Sequence, residues 1–114
     1  MEKIGRQALY YDFYGELLTD HQKQVYEDAV FNDLSLSEIS EELGISRQGV
    51  HDLLRRCDRL LSGYEEKLHL VERFIKTRED VQKIRRIAEQ CSASTLEESM
   101  RQITEISDRI IDEL

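Results

Sequence analysis

With 114 residues the chain has the length of one ordinary domain, and a domain of that size buries roughly two-thirds of the surface its unfolded chain exposes. Proline is absent, glycine numbers five and 35% of residues are charged, a composition that nowhere breaks a helix and predicts an all-α fold. The formal net charge of −8 argues against the broad basic surface by which a non-specific nucleic-acid binder displaces counterions.

The opening MEKIGRQALYYDFYGELL carries charges throughout and has no apolar core bounded by small residues. Neither a leader peptide nor a spanning helix is expected there, so a cytoplasmic protein without membrane insertion is expected. A first helix is predicted from about Lys3 to Glu16, with Ile4, Ala8, Tyr11, Tyr14, Leu17 and Leu18 on one apolar stripe. The cluster YYDFY, Tyr10 to Tyr14, has no interleaved basic residues, which makes core packing its expected role rather than base stacking. Thr19 then caps a second helix with Asp20 in its first turn, Val25, Ala29 and Val30 on its buried face, and an end near Asn32.

Ser35 opens a third helix as a capping box with Glu38. That helix is expected to run to about Leu43, where Gly44 supplies a left-handed residue and Ser46 caps the next helix. Ile39, Leu43, Ile45, Val50 and Leu53 lock two short helices across a tight turn, with Ser40 small where they approach, which is the pattern of a helix-turn-helix. In such a motif the second helix presents its opening residues outward. Ser46, Arg47, Gln48, His51, Arg55 and Arg56 are therefore the candidate nucleic-acid-binding residues, with Arg suited to guanine and Gln to adenine. The same tri-helical unit also serves elsewhere as a docking scaffold, and Arg55, Arg56 and Arg59 beside Asp52 and Asp58 have the composition of a solvated helix face.

From Ser46 no strong stop precedes CSAST at Cys91 to Thr95. Leu54, Cys57, Leu61, Tyr64, Leu68, Val71 and Ile75 step by three and four, the seam of a long helical hairpin or coiled coil. Arg78 interrupts the seam, and Val81, Ile84, Ala88 and Cys91 resume it in shifted phase. A bend or a new helix is therefore predicted near Thr77, with Ser62-Gly63 as the alternative break. Leu96, Met100, Ile103, Ile106 and Ile110 form a last helix, capped by Ser94 or Thr95. The predicted architecture is a helix-turn-helix bundle over residues 1–61, then a long helix and C-terminal helical hairpin over 62–114, folding as one cooperative unit. The seam exceeds what a small domain buries alone, which predicts a homodimer, or a higher even oligomer, sealed by Leu61, Tyr64, Leu68, Val71, Ile75, Ile103, Ile106 and Ile110.

Cys57 and Cys91 fall on apolar positions and are expected to be buried, reduced thiols. His21, His51 and His69 show no ligand spacing with them, and no phosphate loop or nucleophile signature occurs, so no catalytic residue, metal or cofactor is expected. Charge is uneven along the chain, −4 over 1–33, −1 over 34–63, +1 over 64–91 and −4 over 92–114. Positive charge is concentrated in the middle.

LLTDHQKQVYEDAVFNDLSLSEISEELGISRQGVHDLLRRC resembles the region 4 helix-turn-helix of sigma factors. From about Ile4 to Phe74, through YYDFYGELLT, SLSEISEELGISRQGVHDLLRR and YEEKLHLVERF, the chain resembles the small bacterial YlxM family. That resemblance implies a helical accessory protein of the signal recognition particle pathway, partnered with the particle's protein or RNA. Unlike a promoter reader, the chain continues its second motif helix into RRCDRLLSGYEEK, with acidic residues in place of a basic run. The alternative reading is a DNA-binding transcription regulator acting as a homodimer.

Overall fold

The computed structural model describes residues 3–114. Six α-helices, with no strand among the described residues, follow in the order α1 (Lys3–Tyr14), α2 (Asp20–Val30), α3 (Leu36–Leu43), α4 (Arg47–Leu68), α5 (Leu70–Gln90) and α6 (Leu96–Glu113). The chain is thus all-α, a helix-turn-helix bundle followed by long helices and a C-terminal hairpin. It divides into two compact units, Met1–Val71 and Glu72–Leu114.

In the first unit local chemistry sets most boundaries. α1 ends at Tyr14, and Gly15–Leu17 tightens into a 3-10 turn closed by Leu18 N donating to the Gly15 carbonyl at 3.0 Å. Gly15 lies against the Tyr11 ring, which a Cβ would approach to 3.0 Å. The tighter winding shifts the phase of the expected stripe. Leu18 is buried while Leu17 stays 57% exposed, and Ile4, in the first turn of α1, is also at the surface. Thr19 caps α2 as a reciprocal box with Gln22, and Ser35 caps α3 in the same way with Glu38.

The aromatic cluster is core, as its spacing predicts. Tyr14 and Tyr26 are buried, Tyr11 stacks on Tyr26 with centroids 5.6 Å apart, and Tyr14 meets Tyr64 at 6.1 Å. Each inner tyrosine hydroxyl donates to a carboxylate: Tyr11 to Glu27, Tyr14 to Glu65 and Tyr26 to Asp58. Burial first, then those carboxylates, push all three phenols above the ordinary tyrosine range. A buried hydroxyl needs a partner, and these pairs bind α1 and α2 to each other and to α4.

The long helix breaks neither near Thr77 nor at Ser62-Gly63. α4 runs unbroken through Gly63 and ends at Leu68, with His69 left-handed at φ 56° and its N–H donating to the Glu65 carbonyl. α5 then starts at once. The cause is a buried carboxylate: Glu65 Oε1 accepts from the Tyr14 hydroxyl at 2.5 Å and from Val71 N at 2.9 Å, while Leu70 N donates to the Tyr14 hydroxyl at 3.2 Å. One side chain of α4 and one of α1 thereby satisfy the free amides that open α5, a role normally taken by a local cap. Thr95 precedes α6 without capping it, because its hydroxyl accepts from Ser92 N at 3.0 Å.

Cys57 is buried, and burial pushes its thiol up to about 11. Cys91 is only half-buried, as the end of α5 leaves its sulfur near the surface.

The glycines give a first testable result. Gly44 has φ 70°, so Gly44→Val is expected to cost about 1–3 kcal/mol through backbone strain. Gly63 sits mid-helix with nothing within 4 Å of the point a Cβ would occupy, so Gly63→Ala is expected to stabilise by about 0.5–1 kcal/mol. Gly49→Ala gains less than its helical position promises, because its Cβ would stand 3.2 Å from the Ser46 hydroxyl that caps α4. Denaturant melts of the three variants check the order.

Candidate partner-binding face of the helix-turn-helix

α3, the turn and α4 are locked by a small apolar core. Val25, Ile39 and Val50 are buried, with Ala29, Leu34, Leu43, Leu53 and Leu54 packed on them. The turn is fixed through the main chain: Gly44 N donates to the Ser40 carbonyl at 2.9 Å, and the Ser40 hydroxyl donates to the Ile45 carbonyl at 2.5 Å. Ser40 is therefore a latch as well as a small residue. Ile45, expected in the lock, contributes its backbone instead, and its side chain is 40% exposed.

The Ser46 hydroxyl accepts from Gly49 N at 3.0 Å and so caps α4. That cap orients the first turns of α4, leaving Arg47, Gln48, His51, Arg55 and Arg56 all exposed on the solvent side. Asp52 lies among them. Its carboxylate accepts from the Gln48 amide at 2.9 Å and stands 3.8 Å from His51 Nδ1.

Asp58 departs from the sequence reading. Instead of a solvated companion to the arginines it is a half-buried anchor, accepting from Tyr26 at 2.6 Å and from the Gln7 amide at 3.0 and 3.1 Å. The exposed face therefore carries Arg47, Arg55, Arg56 and Arg59 against Asp52, a cationic patch on an acidic chain. His21 and Gln22, not placed on this face by the sequence, complete it: an open groove beside α4 is lined by them together with Asp52, Arg56 and Arg59. The three-residue step from Arg56 to Arg59 was the available signal, whereas His21 is brought there by the packing of α2.

Of the residues proposed for a dimer seam, Leu61 and Val71 are buried inside the chain itself. Tyr64 is half-buried against Tyr14, Leu68 is exposed, and Ile75, Ile103, Ile106 and Ile110 are partly exposed.

A three-helix unit with a left-handed glycine turn, a capped second helix and an outward cationic face defines a helix-turn-helix protein. The family model for UPF0122, described as "Putative helix-turn-helix protein, YlxM / p13 like", matches residues 1–106, and the chain belongs to that family. It is 51% identical over 78 residues, 68% of this chain and 67% of the relative, to a UPF0122 protein of Caldanaerobacter subterraneus subsp. tengcongensis. It is 34% identical over 110 residues, 96% of this chain and 98% of the relative, to a UPF0122 protein of Bacillus cereus strain AH187. The family is named for its fold and not for a reaction. Among the described residues no helix is long and apolar enough to cross a membrane.

Proposed function

We propose that the chain is a non-enzymatic, cytoplasmic accessory protein of the signal recognition particle pathway, whose helix-turn-helix face binds the particle's RNA or protein. The resemblance to the YlxM family supplies the pathway, and the face supplies the mode of binding. One observation carries the choice of partner over duplex DNA: Asp52 stands in the middle of the presented residues and already holds the Gln48 amide at 2.9 Å. To read an adenine edge, Gln48 must leave that carboxylate, and Asp52 must then approach a groove lined by phosphates. Arginines around one carboxylate suit a partner of mixed polarity, such as a folded RNA edge or a protein surface.

Titrations of wild type and Arg47→Ala against the particle's RNA, its protein and a pooled genomic duplex library, at two salt concentrations, test this reading. The expected result is a loss of about 1–3 kcal/mol on a particle component, with weak duplex binding almost unchanged. Sequence-selective duplex binding at physiological salt that Arg47→Ala abolishes would replace this reading with a transcription regulator.

A further inference from the structure

In the segment Glu72–Leu114 the buried side chains are polar, Asp80 and Ser99, while the buried hydrophobic residues of the described chain all lie between Tyr14 and Val71. Within this second unit Lys76 pairs with Glu113 at 2.5 Å and Asp80 with Arg109 at 3.0 Å. The two pairs run in opposite chain directions, so α5 and α6 form an antiparallel hairpin with those residues along the shared edge.

About 100° round each helix from that edge lies a further apolar row. On α5 it is Phe74, Thr77, Val81, Ile84 and Ala88; on α6 it is Leu96, Met100, Ile103, Ser107, Ile110 and Leu114. Both rows step alternately by three and four, the spacing of a helix-packing seam. Because the helices are antiparallel and both rows turn in the same sense from the shared edge, the rows open on one face of the hairpin. Within this segment the row is only partly covered: Ile84, Ile103 and Ile110 are half-buried, while Val81 is 52%, Leu96 53% and Met100 53% exposed.

Charge indicates what covers it. α5 carries six basic and four acidic side chains, and α6 carries two basic and six acidic. We infer that this face binds the same face of a second copy, in a two-fold four-helix bundle with α5 of one protomer over α6 of its partner. Every neighbouring helix pair is then antiparallel, and each cationic α5 lies between two acidic helices. The other two-fold, α5 on α5 and α6 on α6, sets like charges together. A foreign helix of one charge would complement only half of the face. The seam is therefore displaced from the one drawn through Leu61 and Val71, whose side chains are already buried, onto the hairpin alone.

Light scattering of the full chain at tens of micromolar is expected to give the mass of a dimer; a monomer, or an open-ended series of larger species, overturns the proposal. Val81→Glu with Met100→Glu, both exposed positions, is expected to raise the dissociation constant at least about tenfold with helical circular dichroism retained. Unchanged dimerisation overturns the proposal. A second pair tests the arrangement independently of core substitutions. One chain carries Arg78→Glu and Arg85→Glu on α5, and the other carries Glu97→Lys and Asp108→Lys on α6. Each alone should dimerise more weakly than wild type, and an equimolar mixture should recover a heterodimer, since both contacts between the protomers then set opposite charges together. Failure of the mixture to recover overturns the placement of α5 over α6.

Discussion

Glu65→Ala is expected to lower the unfolding free energy by about 2–4 kcal/mol. Glu65 is 9% exposed, and its Oε1 holds both the Tyr14 hydroxyl and the Val71 amide. Alanine leaves a buried hydroxyl without its acceptor and a helix-opening N–H without a cap, and each orphaned group costs about 1–3 kcal/mol. It also removes a negative charge from the N-terminus of α5, where the helix dipole favours one. Glu65→Gln keeps an acceptor and should recover part of the loss. Tyr14→Phe removes the donor and also the acceptor of Leu70 N, so urea melts of the two singles and the double should be strongly non-additive. Additive losses would mean that the two side chains do not act together at the break.

Ile39→Ala is expected to cost about 2–5 kcal/mol, the range for truncating a buried aliphatic side chain. Ile39 is 1% exposed and packs with Val25 and Val50 at the point where α2, α3 and α4 meet. The cavity cannot collapse easily, because the Ser35 box and the Gly44 turn hold both ends of α3. Ile45→Ala serves as the contrast. Its side chain is 40% exposed, so on the order of 1 kcal/mol or less is expected despite the same residue type and motif. The pair, compared by denaturant midpoint at constant slope, separates residues that hold the motif by packing from those that hold it through the main chain.

The helix-turn-helix was legible because its signals are local. Ser35 with Glu38, Gly44, and Ser46 each act within a few residues of themselves, and Ile39, Val50 and Leu53 carry their burial in their spacing. The outward face was readable for the same reason, since a capped helix fixes where Arg47, Gln48 and His51 project. What could not be read was which charges remain on that face. Asp52 and Asp58 are both acidic residues beside arginines in sequence, yet Asp58 is drawn inward by Tyr26 and Gln7, partners 32 and 51 positions away.

The break between α4 and α5 follows the same division. Periodicity determined that residues 47–90 are helical and apolar along one side, but a break at a histidine has no local signature, since glycine is the residue that adopts a left-handed conformation cheaply. The sequence by itself determined which stretches are helical, the caps of α2, α3 and α4, the turn and the aromatic core, which depend on short-range sterics, hydrogen bonding and spacing. Only the tertiary structure decided where the long helix stops and which carboxylates turn inward. Those outcomes depend on buried polar groups finding partners, and Tyr14 finds Glu65 across 51 residues of chain, a pairing that no local pattern encodes.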